Sequence, residues 1–217
     1  MERIYLCIDL KSFYASVECV ERGLDPFSIN LVVADPTRHG AITLAATPAI
    51  KKLGVPSRGR IYEIDSSIDY IIAPPRMALY MQYAAKIYGI LLKFISSEDI
   101  YVYSIDESFL DITSYLKLYQ KSPKEIAKMM IDQIVEETGI TATAGIGTNL
   151  FLAKVALDIC AKHASDFMGY LDKDIFRQTL WHHKPLTDIW MIGPGTTKHL
   201  ARLGLYDLYD VAHYPEG

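Results

Sequence analysis

Cysteine is scarce in this sequence. Cys7, Cys19 and Cys160 are odd in number and show no Cys-x-x-Cys spacing. That argues against a disulfide framework and a tetrahedral zinc site, and makes a reducing cytoplasmic setting the default expectation. Long apolar runs are also lacking. None approaches the ~20 residues that a membrane-spanning helix requires, so no membrane association is expected. The opening MERIYLCIDL contains Glu2 and Asp9 and reads as a strand rather than a leader peptide. Basic charge is not in excess: the net charge of −4 gives no global support to a nucleic-acid binder, so any such evidence must be local. No Gly-x4-Gly-Lys-Ser/Thr segment occurs, which leaves a P-loop unsupported. The "GIGTN" at 145–149 has Leu150 where a dinucleotide fingerprint needs its third glycine. His182-His183 has no ligand partner at metal spacing and reads as a surface turn.

What is present is an ordinary globular balance over 217 residues, half of them apolar and 22% charged, enough for one or two domains. Residues 3–10 read as a buried strand. Ser12 is placed to cap a helix over 13–22 whose apolar stripe is Phe13, Val17 and Val20, with Tyr14, Glu18 and Glu21 facing elsewhere. Strands follow at 31–34 and 41–45, then a short helix from Pro48 to Gly54. Residues 36–62 contain Arg38, Lys51, Lys52, Arg58 and Arg60 and no acid, the one clear charge asymmetry. A long helix over 76–95 carries Met77, Tyr80, Met81, Ala84, Ile87, Tyr88 and Leu91 at helical spacing. Strands at 101–106 and 109–113, a helix over 123–137, a strand at 141–146 and a helix over 149–161 complete the core. A smaller helical segment spans 170–217 and includes "MIGPGTTKHLARLG", with Trp181 and Trp190 in its core. The order β-α, basic insert, α-β-β-α-β-α predicts an α+β fold with a ferredoxin-like, antiparallel or mixed sheet. The strands at 101–106 and 109–113 are too close for a parallel crossover.

Carboxylates at strand ends carry the chemistry. Asp9 ends the first strand; Asp106 and Glu107 lie in the turn between two apolar strands. Three acids at one end of a sheet repel unless protonated or neutralised by a cation, and hard oxygen donors of that kind suit Mg²⁺. The free N–H groups of the following helix would favour an anion beside them. The reaction that fits is two-metal phosphoryl or nucleotidyl transfer. Asp111, inside a strand, reads as structural.

Three segments, "IDLKSFYASVE" at 8–18, "YSIDESFLDI" at 103–112 and "AGIGTNLFLAKVA" at 144–156, resemble the signature segments of Y-family translesion DNA polymerases, in the right order and spacing; the UmuC-like bacterial branch is the most similar. The resemblance implies a palm at 1–12 and 77–168, fingers at 13–76, and a thumb with a helix-hairpin-helix at 169–217. The little finger is absent, as expected of a piece of a longer polymerase. It implies Asp9, Asp106, Glu107 and the Leu10 backbone carbonyl as metal ligands for two Mg²⁺ ions, with Mn²⁺ as a substitute. Phe13 and Tyr14 match the aromatic pair whose second member is a steric gate against a ribose 2′-hydroxyl. Lys51 and Lys162 match triphosphate-contacting lysines, and Gly193 and Gly195 the hairpin glycines that approach DNA phosphate.

The implied partners are primer-template DNA, a dNTP, a sliding clamp and a UmuD-like protein, in a lesion-bypass and SOS-response setting. Three departures stand out. Lys11 replaces an Asp or Asn, Pro48 replaces a triphosphate-contacting tyrosine, and one extra residue separates Lys154 from Lys162. That extra residue leaves the facing of Lys162 open between the phosphates and an i, i+4 charge row with Lys154 and Asp158. Alternatives are a nucleotide cyclase built on a similar palm and a non-catalytic DNA-binding relative.

Overall fold

The computed structural model describes residues 3–38 and 40–215, apart from the His163 side chain. Its centre is a five-stranded sheet in the order β5-β6-β1-β7-β8, formed by β1 (Tyr5–Leu10), β5 (Ile100–Val102), β6 (Glu107–Asp111), β7 (Ala142–Gly147) and β8 (Met168–Leu171). All pairs are antiparallel except β7 with β8. The first four strands reproduce the split β-α-β arrangement expected from the sequence, with β8 added at one edge.

Period-2 alternation gives the sheet two buried faces. Leu6, Ile8 and Leu10 face the main core under α3 (Met77–Leu91) and α5 (Pro123–Thr138). Cys7 and Phe109 face the other way, against α6 (Leu150–Val155) and the turns after it. The ends of α5 are set by its sequence. Ser122 and Glu125 form a capping box, Pro123 occupies the first turn, and Gly139 terminates the helix at φ 69°.

The stretch between β1 and α3 begins with α1 (Phe13–Val20). It then builds a three-stranded sheet, β3-β2-β4, from β2 (Leu31–Val33), β3 (Ala45–Ala46) and β4 (Ile71–Ala73), with α2 (Pro48–Lys52) against it. The strand expected at 41–45 shrinks to β3 and an isolated Ile42–Arg60 bridge. After β6 comes the short α4 (Tyr115–Tyr119). The C-terminal segment holds α7 (Lys173–Leu180), α8 (Pro194–Arg202) and α9 (Leu208–Ala212).

Two sequence expectations fail on α1 and α3. Ser12 does not cap α1; it adopts a left-handed conformation (φ 51°, ψ 42°) without a side-chain cap bond. Glu18, off the apolar stripe, is nonetheless fully buried. Of the expected α3 stripe, Tyr80, Ile87 and Leu91 are buried, whereas Met77 and Met81 are exposed. Trp190 is not confined to the C-terminal segment: its ring lies 6.2 Å from Phe109 and 6.0 Å from Tyr103 of the central sheet.

Candidate active site at the carboxyl end of β1

Register assembles the acids. Asp9 stands directly opposite Glu107 across β1 and β6, and the next backbone N–H, from Leu10, donates to the Asp106 carbonyl at 2.9 Å. Opposed residues of an antiparallel pair project to the same face, so Asp9 and Glu107 share the side that carries Cys7. Glu107 is the first residue of β6 rather than a turn residue, and Asp106 alone occupies the turn. Burial, followed by the charges of Asp106 and Glu107, pushes the half-buried Asp9 carboxyl up to about 7. Asp111 is structural: it accepts from the Thr113 N–H at 3.0 Å.

Glu107 is held by residues that the sequence reading did not place here. Lys154 Nζ lies 2.9 Å from Oε1 and 3.0 Å from Oε2, and the Cys7 thiol donates to Oε1 at 3.1 Å. Burial lowers the Lys154 pKa, but hydrogen bonding to Glu107 and the charge of Asp158 outweigh it and hold the lysine above its usual range. Asp106 accepts from Ser104 Oγ at 2.7 Å.

Lys154 reaches Glu107 because α6 and the turn after it press directly on β7. A Cβ built on Gly145 would lie 2.0 Å from the Ala153 carbonyl oxygen; one on Gly147 would lie 2.2 Å from Ala153 N. The glycines of "GIGTN" therefore serve helix–strand contact rather than nucleotide phosphates.

A π-helical turn, Ala156–Cys160, lies between Lys154 and Lys162. Lys154 and Lys162 both donate to Asp158. Lys162 pairs with it at 3.1 Å, remains 55% exposed, and its positive charge is felt at Asp9. The expected charge row with Lys154 and Asp158 is present.

Lys51 comes from α2. Its Nζ donates to Ser12 Oγ at 2.9 Å, so Ser12 anchors this lysine rather than capping α1. Burial lowers its pKa, while Asp9 raises it. Lys11 Nζ lies 4.4 Å from the Phe167 ring centroid and 5.9 Å from that of Phe27. Phe13 is buried; Tyr14 is half-buried, stacked on Tyr80, and close enough to Asp106 for that charge to raise its pKa further, beyond the effect of burial.

Gly193 and Gly195 are remote from this cluster in sequence and stand at the start of α8. Neither has positive φ, and a Cβ on either would meet nothing within 4 Å. Neither backbone conformation nor packing requires glycine there. A cleft of about 740 Å³ runs beside them, with Asp158, Lys162, Trp190 and Gly193 among its walls.

No group of three or more His, Cys, Asp or Glu side chains is gathered into ligating geometry among the described residues. The donor set nevertheless fits a hard divalent cation. It consists of carboxylate oxygens, one of which keeps its proton to about pH 7 because it is buried beside two further acids. The arrangement can bind cations and polyanions side by side.

The family model of the impB/mucB/samB family matches residues 8–158. The putative UV-damage repair protein UvrX of Bacillus subtilis is 35% identical over 97% of this chain and 50% of its own length. DNA polymerase IV 2 of the same organism is 34% identical over 99% of this chain and 51% of its own. The chain thus spans about half the length of the curated relatives it matches. Among solved structures, an insertion ternary complex of Dbh DNA polymerase superposes with a TM-score of 0.84 at 26% identity, covering 98% of this chain and 61% of that one. DinB from Sulfolobus solfataricus gives 0.79 at 27% identity, over 98% and 60%. The chain belongs to the impB/mucB/samB family, within the Y-family DNA polymerases.

Proposed function

We propose that the protein performs template-directed DNA synthesis across lesions, joining a dNTP to a primer 3′-hydroxyl. The observation that carries this reading is the register of β1 and β6, which brings Asp9, Asp106 and Glu107 to one strand end in a chain of this family. Residues 1–12 and 77–168 act as palm, 13–76 as fingers and 169–217 as thumb.

Asp9, Asp106, Glu107 and the Leu10 carbonyl are the candidate metal ligands. Divalent cations there, two Mg²⁺ or Mn²⁺ in their place, supply activation of the 3′-hydroxyl and neutralisation of the triphosphate. The chain's own residues do the positioning. Lys154 keeps the Glu107 carboxylate compensated and is itself balanced by Asp158, so turning Glu107 towards a cation leaves no buried lysine unpaired. Lys51, from the inserted stretch, and Lys162, from the turns after α6, bind the triphosphate. Phe13 and Tyr14 meet the sugar, with Tyr14 excluding a 2′-hydroxyl by contact. Gly193 and Gly195 let backbone N–H groups approach DNA phosphate without reading sequence.

Primer-template DNA and a dNTP are the substrates. A sliding clamp and a UmuD-like protein are proposed partners, in a cytoplasmic SOS response. The test is primer extension on damaged and undamaged template with Mg²⁺, Mn²⁺ or EDTA. Metal-dependent extension past the lesion is the expected result; metal-independent extension or none on either template contradicts it. Cyclic product from labelled NTP without template would favour the cyclase alternative.

A further inference from the structure

Two helices meet at the junction where the inserted stretch leaves and rejoins the central sheet. On α1, Tyr14 and Glu18 are four residues apart and therefore on one face; on α3 the same spacing relates Arg76, at its N-cap, and Tyr80. Tyr80 touches both α1 residues. Its ring stacks on Tyr14 with centroids 4.4 Å apart and planes 13° from parallel, and its hydroxyl donates to Glu18 Oε1 at 2.7 Å. Arg76 grips the same carboxylate with two bonds, Nε to Oε1 at 3.0 Å and NH2 to Oε2 at 2.7 Å. Arg22 adds a further bond from the turn after α1.

Glu18 and Tyr80 are both fully excluded from solvent. A carboxylate in such a place is costly unless every lone pair is used, and here three side chains use them. Burial would raise the Glu18 pKa, but the bonds from Arg76, Tyr80 and Arg22 prevail and hold it below its usual range. The fold thus commits a buried anion and an arginine fork to fixing one tyrosine ring, and that ring supports Tyr14. The arrangement is stiffer than packing alone requires, since an aromatic held only by apolar contact can tilt.

We infer that Tyr80, locked by the Glu18–Arg76 pair, is the positioning residue that sets the height of Tyr14 and hence the strictness of sugar selection. This rests on the reading of Tyr14 as the gate. A 2′-hydroxyl adds one oxygen to the space above Tyr14, so ångström-scale settling of the ring would admit it.

The test measures kcat and KM for one dNTP and its ribonucleotide counterpart, incorporated on primed template by the full protein, in five forms: wild type, Tyr14→Ala, Tyr80→Leu, Tyr80→Phe and Arg76→Lys. Tyr80→Leu should lower deoxy-over-ribo selectivity by about tenfold or more, chiefly through a smaller ribonucleotide KM. Tyr80→Phe, which keeps the stack, should retain most of the selectivity. Arg76→Lys, at a half-exposed position, keeps the charge without the fork and should lower selectivity by about threefold, covering the case in which the leucine variant does not fold. A purely structural role would depress both nucleotides equally and leave the ratio fixed. An unchanged ratio in Tyr80→Leu, or in Arg76→Lys if the former is unfolded, overturns the inference when Tyr14→Ala loses selectivity. If Tyr14→Ala also keeps it, the gate reading fails first and the inference falls with it.

Discussion

The acid-bearing end of β1 and the start of α8 use side chains in opposite ways. Around Asp9 most polar groups are tied: Glu107 to Lys154 and Cys7, Asp106 to Ser104, Lys51 to Ser12 and Lys162 to Asp158. The backbone beneath is packed so closely that Gly145 and Gly147 admit no Cβ. At the start of α8 the glycines have open space and ordinary backbone angles, and α8 and α9 contain no buried residue. Tight placement suits bond-making, where small displacements matter. Open backbone suits a repeating phosphate surface, where any register must do. The same residue type therefore has two meanings in one chain: at 145 glycine is demanded by the fold, and at 193 the fold is indifferent to it.

The largest expected effect falls on the chemistry. Asp106→Asn should reduce primer extension by roughly a thousandfold or more while circular dichroism and melting stay near wild type. Extension within tenfold of wild type would remove Asp106 from the reaction.

The contrast between glycines comes next. Gly145→Val should cost on the order of 4 kcal/mol in urea unfolding or prevent folding, because its Cβ meets helix backbone that has no rotamer to yield. Gly193→Ala should leave stability within about 0.5 kcal/mol and weaken primer-template binding equally across sequences. Equal stability losses at the two positions would erase the distinction.

Lys154→Met removes the main partner of a buried carboxylate and should destabilise the protein by about 3 kcal/mol in EDTA. Divalent cation should recover part of that loss, read as a larger Mg²⁺-dependent rise in unfolding midpoint than in wild type.

The last effect is the pH response of Asp9. Its native carboxyl titrates at about 7, its unfolded one at about 4. Between those values the native state holds the extra proton, so without metal stability falls as pH rises through that window. Asp9→Asn should flatten this slope and leave the metal-free protein more stable than wild type at pH 8. A slope unchanged by the substitution would show that Asp9 does not hold this extra proton.

Much of the central sheet was legible because its signals are local and repetitive. Apolar strand runs, the helix start at Pro123, and acids breaking an apolar pattern at 106 and 107 each point one way. The features that escaped depended on partners distant in sequence. Glu18 reads only as a residue off the apolar stripe until Arg76 and Tyr80 arrive 58 and 62 residues later. Ser12 looks like a cap, but Lys51 takes its hydroxyl. Lys154 was visible as part of a charge row with Asp158, yet its contact with Glu107 required the close approach that Gly145 and Gly147 permit. The π turn has no composition of its own that would announce it.

The central claim is that Asp9, Asp106 and Glu107 jointly hold divalent cation at one strand end. Titration of Mn²⁺ into the protein with dNTP and primer-template, followed by electron paramagnetic resonance, tests it most directly. The account predicts saturable binding in wild type, lost in both Asp9→Asn and Asp106→Asn while both variants remain folded. Binding of undiminished affinity and stoichiometry in those variants would contradict it.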